Sequence, residues 1–259
     1  MNDSNKTLLP IKDGEPQDFS LQIALAMLIF LFALGFAERT INFSDPLQGL
    51  ILHAAILVGI ILYAAARWDH SQHRYLLGLS IVPIMRIVGL VVPLAHIPLK
   101  YWFILVNLIF FVAVLLLVQR LALNRCDLGI KLKGWPGQLL VGLSGILIGA
   151  GQFFLIGPSI SSDPMRTFPN ALVGAVLMLG NGFVEELAFR GMLQYILEKT
   201  LGEKVAWIYL ATVYTILTLG SFSSGYIAVT FGVSLLFSRV VWRTRSILGV
   251  SLAHALASI

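Results

Sequence analysis

Long uninterrupted apolar runs constrain this chain more than any other feature of its sequence. Runs of about 17 to 25 residues have the length that an α-helix needs to cross a hydrocarbon core of roughly 30 Å. A hydrophobic fraction of 58% against 12% charged residues is also far from the composition of a soluble domain. We therefore predict an all-α fold, a polytopic transmembrane helical bundle of about eight or nine spans. The predicted spans are residues 20–37, 47–66, 76–97, 101–119, 136–157, 171–197, 205–220, 222–241 and 246–259.

The polar segments between these runs are short, which leaves no room for a separate soluble domain. We expect one continuous membrane domain in two regions. Residues 1–134 carry no recognised signature, and residues 135–259 hold the residues that indicate chemistry. The first run has no signal-peptide cleavage site, so we expect it to be retained as a span.

Lys and Arg are distributed unevenly between alternate loops. If the N-terminus is cytoplasmic, only Arg39, Lys100 and Arg166 lie on the opposite side. Because cytoplasmic loops carry the excess of positive charge, we predict that orientation for an integral protein of the plasma membrane. The same asymmetry explains the net charge of +5 without nucleic acid as a partner. The cytoplasmic set would be Lys6, Lys12, Arg67, Arg74, Arg120, Arg125, Lys131, Lys133, Lys199, Lys204, Arg239, Arg243 and Arg245.

Two glycines in the fifth predicted span are four residues apart. Gly145 and Gly149 form a small-xxx-small pair, a pattern that allows two membrane helices to approach closely. We predict that they pack this span against another helix.

Charged residues interrupt the sixth predicted span. An ionised side chain near the bilayer centre costs about 2.5 to 3.5 kcal/mol on insertion scales, so such residues need pairing or a hydrated cavity. Glu186 and Arg190 are four residues apart on one helical face and can neutralise each other. Glu185 lies about 100° around the helix, on the side of Asn181, and remains available for chemistry. A purely structural ion pair is the alternative, but it would not need the second glutamate.

The segment Glu185-Glu186-Leu-Ala-Phe-Arg190 resembles the EExxxR motif of the CPBP (ABI) family of intramembrane glutamic endopeptidases, which includes CAAX prenyl proteases and bacteriocin-processing relatives. The resemblance covers roughly residues 135–259. His254-Ala-Leu-Ala-Ser258 is similar to the family's HxxxN or HxxxD motif, with Ser258 in place of the amide or acid. The best position for the family's FxxxH motif is Tyr214-Thr-Ile-Leu-Thr218, with Thr218 in place of the histidine.

The resemblance implies an enzyme in which Glu185 activates a water for attack on a peptide carbonyl. His254 would supply a proton or polarise the carbonyl oxygen. Glu186 and Arg190 would maintain the geometry and charge of the site. Their predicted depths in the membrane place Glu185 and His254 in one site. Further residues are expected to line it: Asn181, Tyr214, Thr218 and Ser258.

The other intramembrane charge and the remaining histidines have simpler interpretations. Arg86 is expected to pair with one of the two glutamates, to line the cavity, or to extend towards the interface. Interfacial solvation is expected for the remaining histidines, which are His53, His70, His73 and His96. A zinc site needs three protein ligands, and residues 135–259 offer one histidine and the glutamate pair. We expect no metal and no cofactor.

Three functions stay open at this point. The first is an endopeptidase of the CAAX protease or bacteriocin-processing type, acting on a peptide or protein with or without a prenyl group. The second is an inactive family member that binds a peptide, lipid or partner protein, because Thr218 cannot take up a proton near neutral pH. The third is a proton-coupled transporter that uses Glu185 and Glu186. The chain lacks clear repeat symmetry, which weighs against transport.

Overall fold

The computed structural model describes residues 21–67, 72–94, 99–132, 134–156, 171–221 and 224–258, and within these ranges it contains helices and no strand. The α-helices in chain order are α1 (Leu21–Phe43), α2 (Pro46–Ala66), α3 (Gln72–Leu79), α4 (Ile81–Leu94), α5 (Leu99–Arg120), α6 (Trp135–Ile156), α7 (Ala171–Glu186), α8 (Gln194–Leu201), α9 (Glu203–Ile216), α10 (Ser224–Thr244) and α11 (Leu248–Ala257). A π-helix, Leu187–Leu193, joins α7 to α8, and a 3₁₀ turn, Leu219–Ser221, lies between α9 and α10.

Seven helical stretches of the described residues are long and apolar enough to cross a membrane, which confirms the predicted polytopic helical bundle. They are Leu21–Phe43, Pro46–Ala66, His73–Val91, Tyr101–Arg120, Trp135–Phe154, Leu172–Leu201 and Ser224–Thr244. The two other predicted spans, 205–220 and 246–259, are instead the short helices α9 and α11, of 14 and 10 residues. At 1.5 Å per residue these reach only about 21 Å and 15 Å, less than the hydrocarbon thickness.

The predicted glycine pair packs α6 directly against the backbone of α11. A Cβ atom on Gly145 would lie 2.1 Å from the carbonyl oxygen of Ala253, and one on Gly149 would lie 2.9 Å from that of Ala257. Neither position has space for a side chain, so the packing role predicted from the spacing is confirmed. This close contact fixes the helix that carries His254.

The neighbouring face of α11 packs against α7 through a third glycine. A Cβ atom on Gly182 would lie 2.8 Å from the carbonyl oxygen of Ser251 and 2.9 Å from the amide nitrogen of Ala255. Because α11 is held against both α6 and α7, it has a defined position although it is too short to span the membrane. Its histidine therefore meets the two glutamates at the end of α7.

Of the alternatives given for Arg86, pairing with Glu185 or Glu186 was wrong. Arg86 on α4 donates hydrogen bonds to both carboxylate oxygens of Glu38 on α1, and its Nη2 also donates to the carbonyl oxygen of Leu217 at 3.2 Å. The prediction failed because it ended the first span at residue 37, whereas α1 continues to Phe43 and buries Glu38 completely. The Arg86 guanidinium thus connects the N-terminal helices to the end of α9.

The histidines of the N-terminal half are more buried than predicted. His53 is 0% exposed, and its Nε2 lies 3.2 Å from Oε1 of Glu38. His73 is also buried, with Nδ1 2.9 Å from the carbonyl oxygen of Ala64. Interfacial solvation was therefore the wrong expectation for these two, because both are held by helix-to-helix contacts. His70 and His96 lie outside the described residues.

Candidate active site

Glu185 and Glu186 lie at the C-terminal end of α7, where the chain changes from an α-helix to the wider π-helix. The two glutamates are the last residues of α7, and the following segment with Arg190 is a π-helix. The sequence predicts a regular α-helix with 100° per residue here, because a short π-helical segment has no clear signature in sequence. Such segments occur frequently at functional sites. Gly191 within it lies against a loop, since its Cβ would be 3.0 Å from the carbonyl oxygen of Leu128.

Glu186 and Arg190 form the charge pair that the sequence predicted, and both side chains are buried. Nη1 of Arg190 donates to Oε1 of Glu186 at 3.1 Å, and the two side chains are 1% and 0% exposed. Nη2 of Arg190 donates to Oγ of Ser234 at 2.8 Å. The guanidinium also lies 4.7 Å from the centre of the Tyr214 ring, an attractive cation–π arrangement. The pair therefore brings no net charge into the bundle.

Glu185 is held by neutral hydrogen-bond donors. Nδ2 of Asn181 donates to its Oε1 at 3.0 Å, and the hydroxyl of Tyr214 donates to its Oε2 at 3.2 Å. Its side chain keeps 22% of its surface exposed, whereas that of Glu186 is fully buried. Of the two carboxylates, Glu185 is therefore the more accessible.

His254 contacts both glutamates through opposite ring nitrogens. Its Nδ1 lies 2.8 Å from Oε1 of Glu186, and its Nε2 lies 3.6 Å from Oε2 of Glu185. The sequence predicted that Glu185 and His254 share a site, and this juxtaposition is confirmed. The two glutamates have different hydrogen-bond partners, but both also reach the same imidazole. An ionised Glu186 can only accept, so the Nδ1–H group of His254 donates to it. The second ring nitrogen, Nε2, faces Glu185.

A cavity of about 110 Å³ adjoins this cluster. Since a polar cavity needs only about 10 to 15 Å³ of such volume per water, several water molecules fit. Its lining comprises Ile148, Gln152, Glu186, Arg190, Tyr214, Thr218, Tyr226, Thr230, Val233, Ser234, Phe237, His254, Ala257 and Ser258. Glu186 and His254 thus line the cavity directly, and Glu185 lies next to it through its contact with His254.

The predicted lining residues fall into two groups. Asn181 and Tyr214 bond Glu185 directly, as described above. Thr218 and Ser258 line the cavity, but their hydroxyls donate to the backbone carbonyls of Thr215 at 2.8 Å and His254 at 3.0 Å. The structure thus brings all four predicted lining residues to the site, with Thr218 and Ser258 in its wall.

Helix α10 supplies contacts that we did not predict from sequence. Ser234 accepts the Arg190 hydrogen bond, and one turn later the carbonyl oxygen of Ser238 accepts from Nε2 of Gln194 at 2.9 Å. Both serines are buried. Ser234, a small polar residue in an apolar helix, was the available signal for its own contact. The contact of Ser238 uses its backbone carbonyl, which any residue would supply.

The described residues contain no group of three or more His, Cys, Asp or Glu that could hold a metal ion.

Comparison with known proteins assigns part of the chain to a family. Residues 167–259 match the family model described as Type II CAAX prenyl endopeptidase Rce1-like. The matched part contains α7 to α11 and the residues around Glu185, Glu186 and His254, whereas Ile148 and Gln152 of the cavity lining lie outside it. The resemblance inferred from the EExxxR segment is thereby confirmed for this part of a polytopic helical membrane protein. No curated protein and no solved structure matches the chain.

Proposed function

We propose that this protein is an intramembrane endopeptidase of the CAAX protease type, which hydrolyses a peptide bond with a water activated by Glu185. The observation that carries the proposal is the position of His254 between Glu185 and Glu186, beside a cavity with room for water. The family match of residues 167–259 supports the same class of reaction.

Glu185 is the better general base of the two glutamates for geometric reasons. Its hydrogen-bond partners Asn181 and Tyr214 are neutral donors, so neither brings a positive charge that would neutralise the carboxylate. Glu186 is committed to a guanidinium and an imidazole, and it is fully buried. The 3.6 Å separation between Oε2 of Glu185 and Nε2 of His254 allows one water to bond both atoms from the side.

The reaction then proceeds without a covalent enzyme intermediate. Glu185 takes one proton from the water, and the resulting hydroxide adds to the peptide carbonyl carbon. His254, protonated on both ring nitrogens, donates from Nε2 to the carbonyl oxygen as negative charge develops there, while its Nδ1–H donates to Glu186, which fixes the ring. The C–N bond breaks as Glu185 returns the proton to the leaving amine. Arg190 holds Glu186 in place throughout and carries out no proton transfer.

The substrate in this proposal is a peptide or protein, with or without a prenyl group, that enters from the cytoplasmic side of the plasma membrane. The distribution of Lys and Arg supports this orientation, with a cytoplasmic N-terminus. Residues 135–259 form the protease region, and residues 1–134 support it through the contact of Arg86 with Leu217.

A non-catalytic role on the same fold is the second candidate, and one observation favours it. Thr218 stands where the family pattern has a histidine, and its hydroxyl already donates to a backbone carbonyl. General acid–base assistance contributes about 10²- to 10⁴-fold, so the loss of one partner leaves a slow enzyme or a binding protein.

Peptide cleavage by the purified protein distinguishes the two candidates. A library of prenylated and unprenylated peptides is incubated with wild type, Glu185→Ala, His254→Ala and, as a matched acidic control, Glu203→Ala at the exposed start of α9. Of these four proteins, we expect only wild type and Glu203→Ala to cleave, whereas no cleavage by any of them would favour the non-catalytic role. A fifth variant, Thr218→His, should cleave faster than wild type. Cleavage that survives Glu185→Ala would overturn the mechanism. Proton flux into vesicles that Glu185→Gln abolishes would instead favour transport.

A further inference from the structure

A second, smaller pocket lies on the other side of Arg190 from the catalytic cavity. Its volume is about 50 Å³. Three polar atoms among its lining residues are buried and have no hydrogen-bond partner within the described part of the chain: Nε of Arg190, Oε1 of Gln194 and Nε1 of Trp242. The full lining is Cys126, Asp127, Gly129, Arg190, Gln194, Tyr195, Glu198, Val241, Trp242 and Arg245.

The orientation of the Gln194 amide is fixed by its other contacts. Its Nε2 donates to Oε1 of Glu198 at 2.7 Å and to the carbonyl oxygen of Ser238 at 2.9 Å. Both partners are acceptors, so the nitrogen must face them and Oε1 must be the atom without a partner. The lining residues therefore include two buried donors without a partner, on Arg190 and Trp242, and one such acceptor, on Gln194.

This set of groups matches the hydrogen bonding of water. A buried water typically makes about three hydrogen bonds to polar groups that otherwise lack partners. A water here can accept from Arg190 and Trp242 and donate to Gln194. The pocket is large enough for a few waters but small for a peptide segment. Leaving two almost fully buried side chains, Arg190 and Gln194, without such a partner would be unfavourable.

Arg190 lines both the pocket and the catalytic cavity. Its Nη atoms bond Glu186 and Ser234, while its Nε atom belongs to the set without a partner. The pocket also includes Asp127 and Arg245, which lie at the end of the bundle that the charge distribution predicts as cytoplasmic. One guanidinium thus separates the catalytic cavity from a polar pocket near that aqueous side.

We propose that this pocket is a hydrated inlet through which water reaches the catalytic cavity past Arg190. The role in hydrolysis rests on the proposed function, because each cleaved peptide bond consumes one water, whose hydroxyl joins the carbonyl carbon and whose proton joins the amine. Hydration of the pocket itself does not depend on catalysis, so it has its own test.

Cysteine labelling tests hydration directly, because methanethiosulfonates react with thiolates, which form where water reaches the thiol. The background variant is Cys126→Ser, which removes the native thiol. Val241→Cys places a near-isosteric thiol in the pocket, and Val250→Cys is the matched control, since Val250 is buried and lines neither cavity. We expect a charged, membrane-impermeant reagent to label Val241→Cys at least tenfold faster, and only from the side of Arg245. Equal rates for the two variants would overturn the inlet.

Peptide hydrolysis after labelling tests whether the inlet supplies the reaction. The adduct on Val241→Cys should lower kcat at least fivefold with little change in KM, whereas treated Val250→Cys should keep its activity. Fast labelling with unchanged kcat would overturn the supply role. If the unlabelled protein hydrolyses no peptide, the proposed function fails, while the labelling rates still decide whether the pocket is hydrated.

Discussion

The Nδ1 atom of His254 lies 2.8 Å from Oε1 of Glu186, which is also bonded to Arg190. This contact joins α11 to the end of α7, between residues 68 positions apart in sequence. One fully buried carboxylate oxygen therefore positions both a cation and the histidine that faces Glu185. The central role of Glu186 leads to the first prediction.

Replacement of Glu186 by Gln should destabilise the protein more than the same change at Glu185. Removing one partner of a buried ion pair leaves an uncompensated charge and costs about 3 to 5 kcal/mol. Glu185 is hydrogen-bonded by neutral donors and is partly exposed, so Glu185→Gln should change the melting temperature in detergent little. Equal loss of thermal stability in the two variants would contradict the assignment of Glu186 as the structural carboxylate.

Removal of the Tyr214 hydroxyl should affect catalysis more than folding. Tyr214→Phe keeps the ring that packs over Arg190 but loses the hydrogen bond to Glu185, worth about 1.5 to 3 kcal/mol for a charged acceptor. We expect kcat for peptide cleavage to fall about tenfold or more. Tyr209→Phe, on the same helix and hydrogen-bonded to the carbonyl oxygen of Met27, is the control and should retain kcat. A loss of similar size in both variants would show that the effect is not specific to Glu185.

A methyl group at Gly145 should separate α6 from α11. Its Cβ would lie 2.1 Å from the carbonyl oxygen of Ala253, so Gly145→Ala should cost about 1 to 3 kcal/mol and displace His254. A Cβ atom on Gly151 of the same helix would meet no neighbouring part of the described chain within 4 Å, so Gly151→Ala is the matched control. The melting temperature and the rate of peptide cleavage should both decrease for Gly145→Ala, and neither should change for Gly151→Ala. Unchanged behaviour of Gly145→Ala would contradict the packing of α11.

The cluster around Glu38 should show the coupling of a buried ion pair. Arg86→Met leaves Glu38 buried without its cation, at a cost of about 3 to 5 kcal/mol. The double variant Arg86→Met, Glu38→Gln removes the stranded charge, so its melting temperature should exceed that of Arg86→Met alone. Arg39→Met, at an exposed position next to Glu38, should have almost no effect. Additive losses in the double variant would show that the two residues do not depend on each other.

The features predicted well from sequence were those that depend on one segment at a time. Apolar runs identified the long spans, the four-residue spacing identified the Glu186–Arg190 pair, and the Gly145–Gly149 pattern identified a close helix contact. The predicted depths of Glu185 and His254 in the membrane were compatible with one shared site, and the resemblance of their two motifs to one family indicated the same.

The features missed from sequence depend on the local path of the helix or on which helices become neighbours. The π-helix after Glu186 widens the turn by one residue without a composition that announces it. The contact of Arg86 with Glu38 joins residues 48 positions apart on separate helices. Likewise, the hydrogen bond between Arg190 and Ser234 depends on the packing of α10 against the π-helix, which the sequence does not reveal.

Hydrolysis in ¹⁸O-labelled water tests the central claim most directly. In a single turnover, mass spectrometry of the cleaved peptide should show one ¹⁸O atom in the new carboxylate and none in Glu185 of the enzyme, because Glu185 acts as a base and not as a nucleophile. The same reaction with Glu185→Gln should give no product above background. Label in Glu185, or product from Glu185→Gln at the rate of the wild type, would contradict the account.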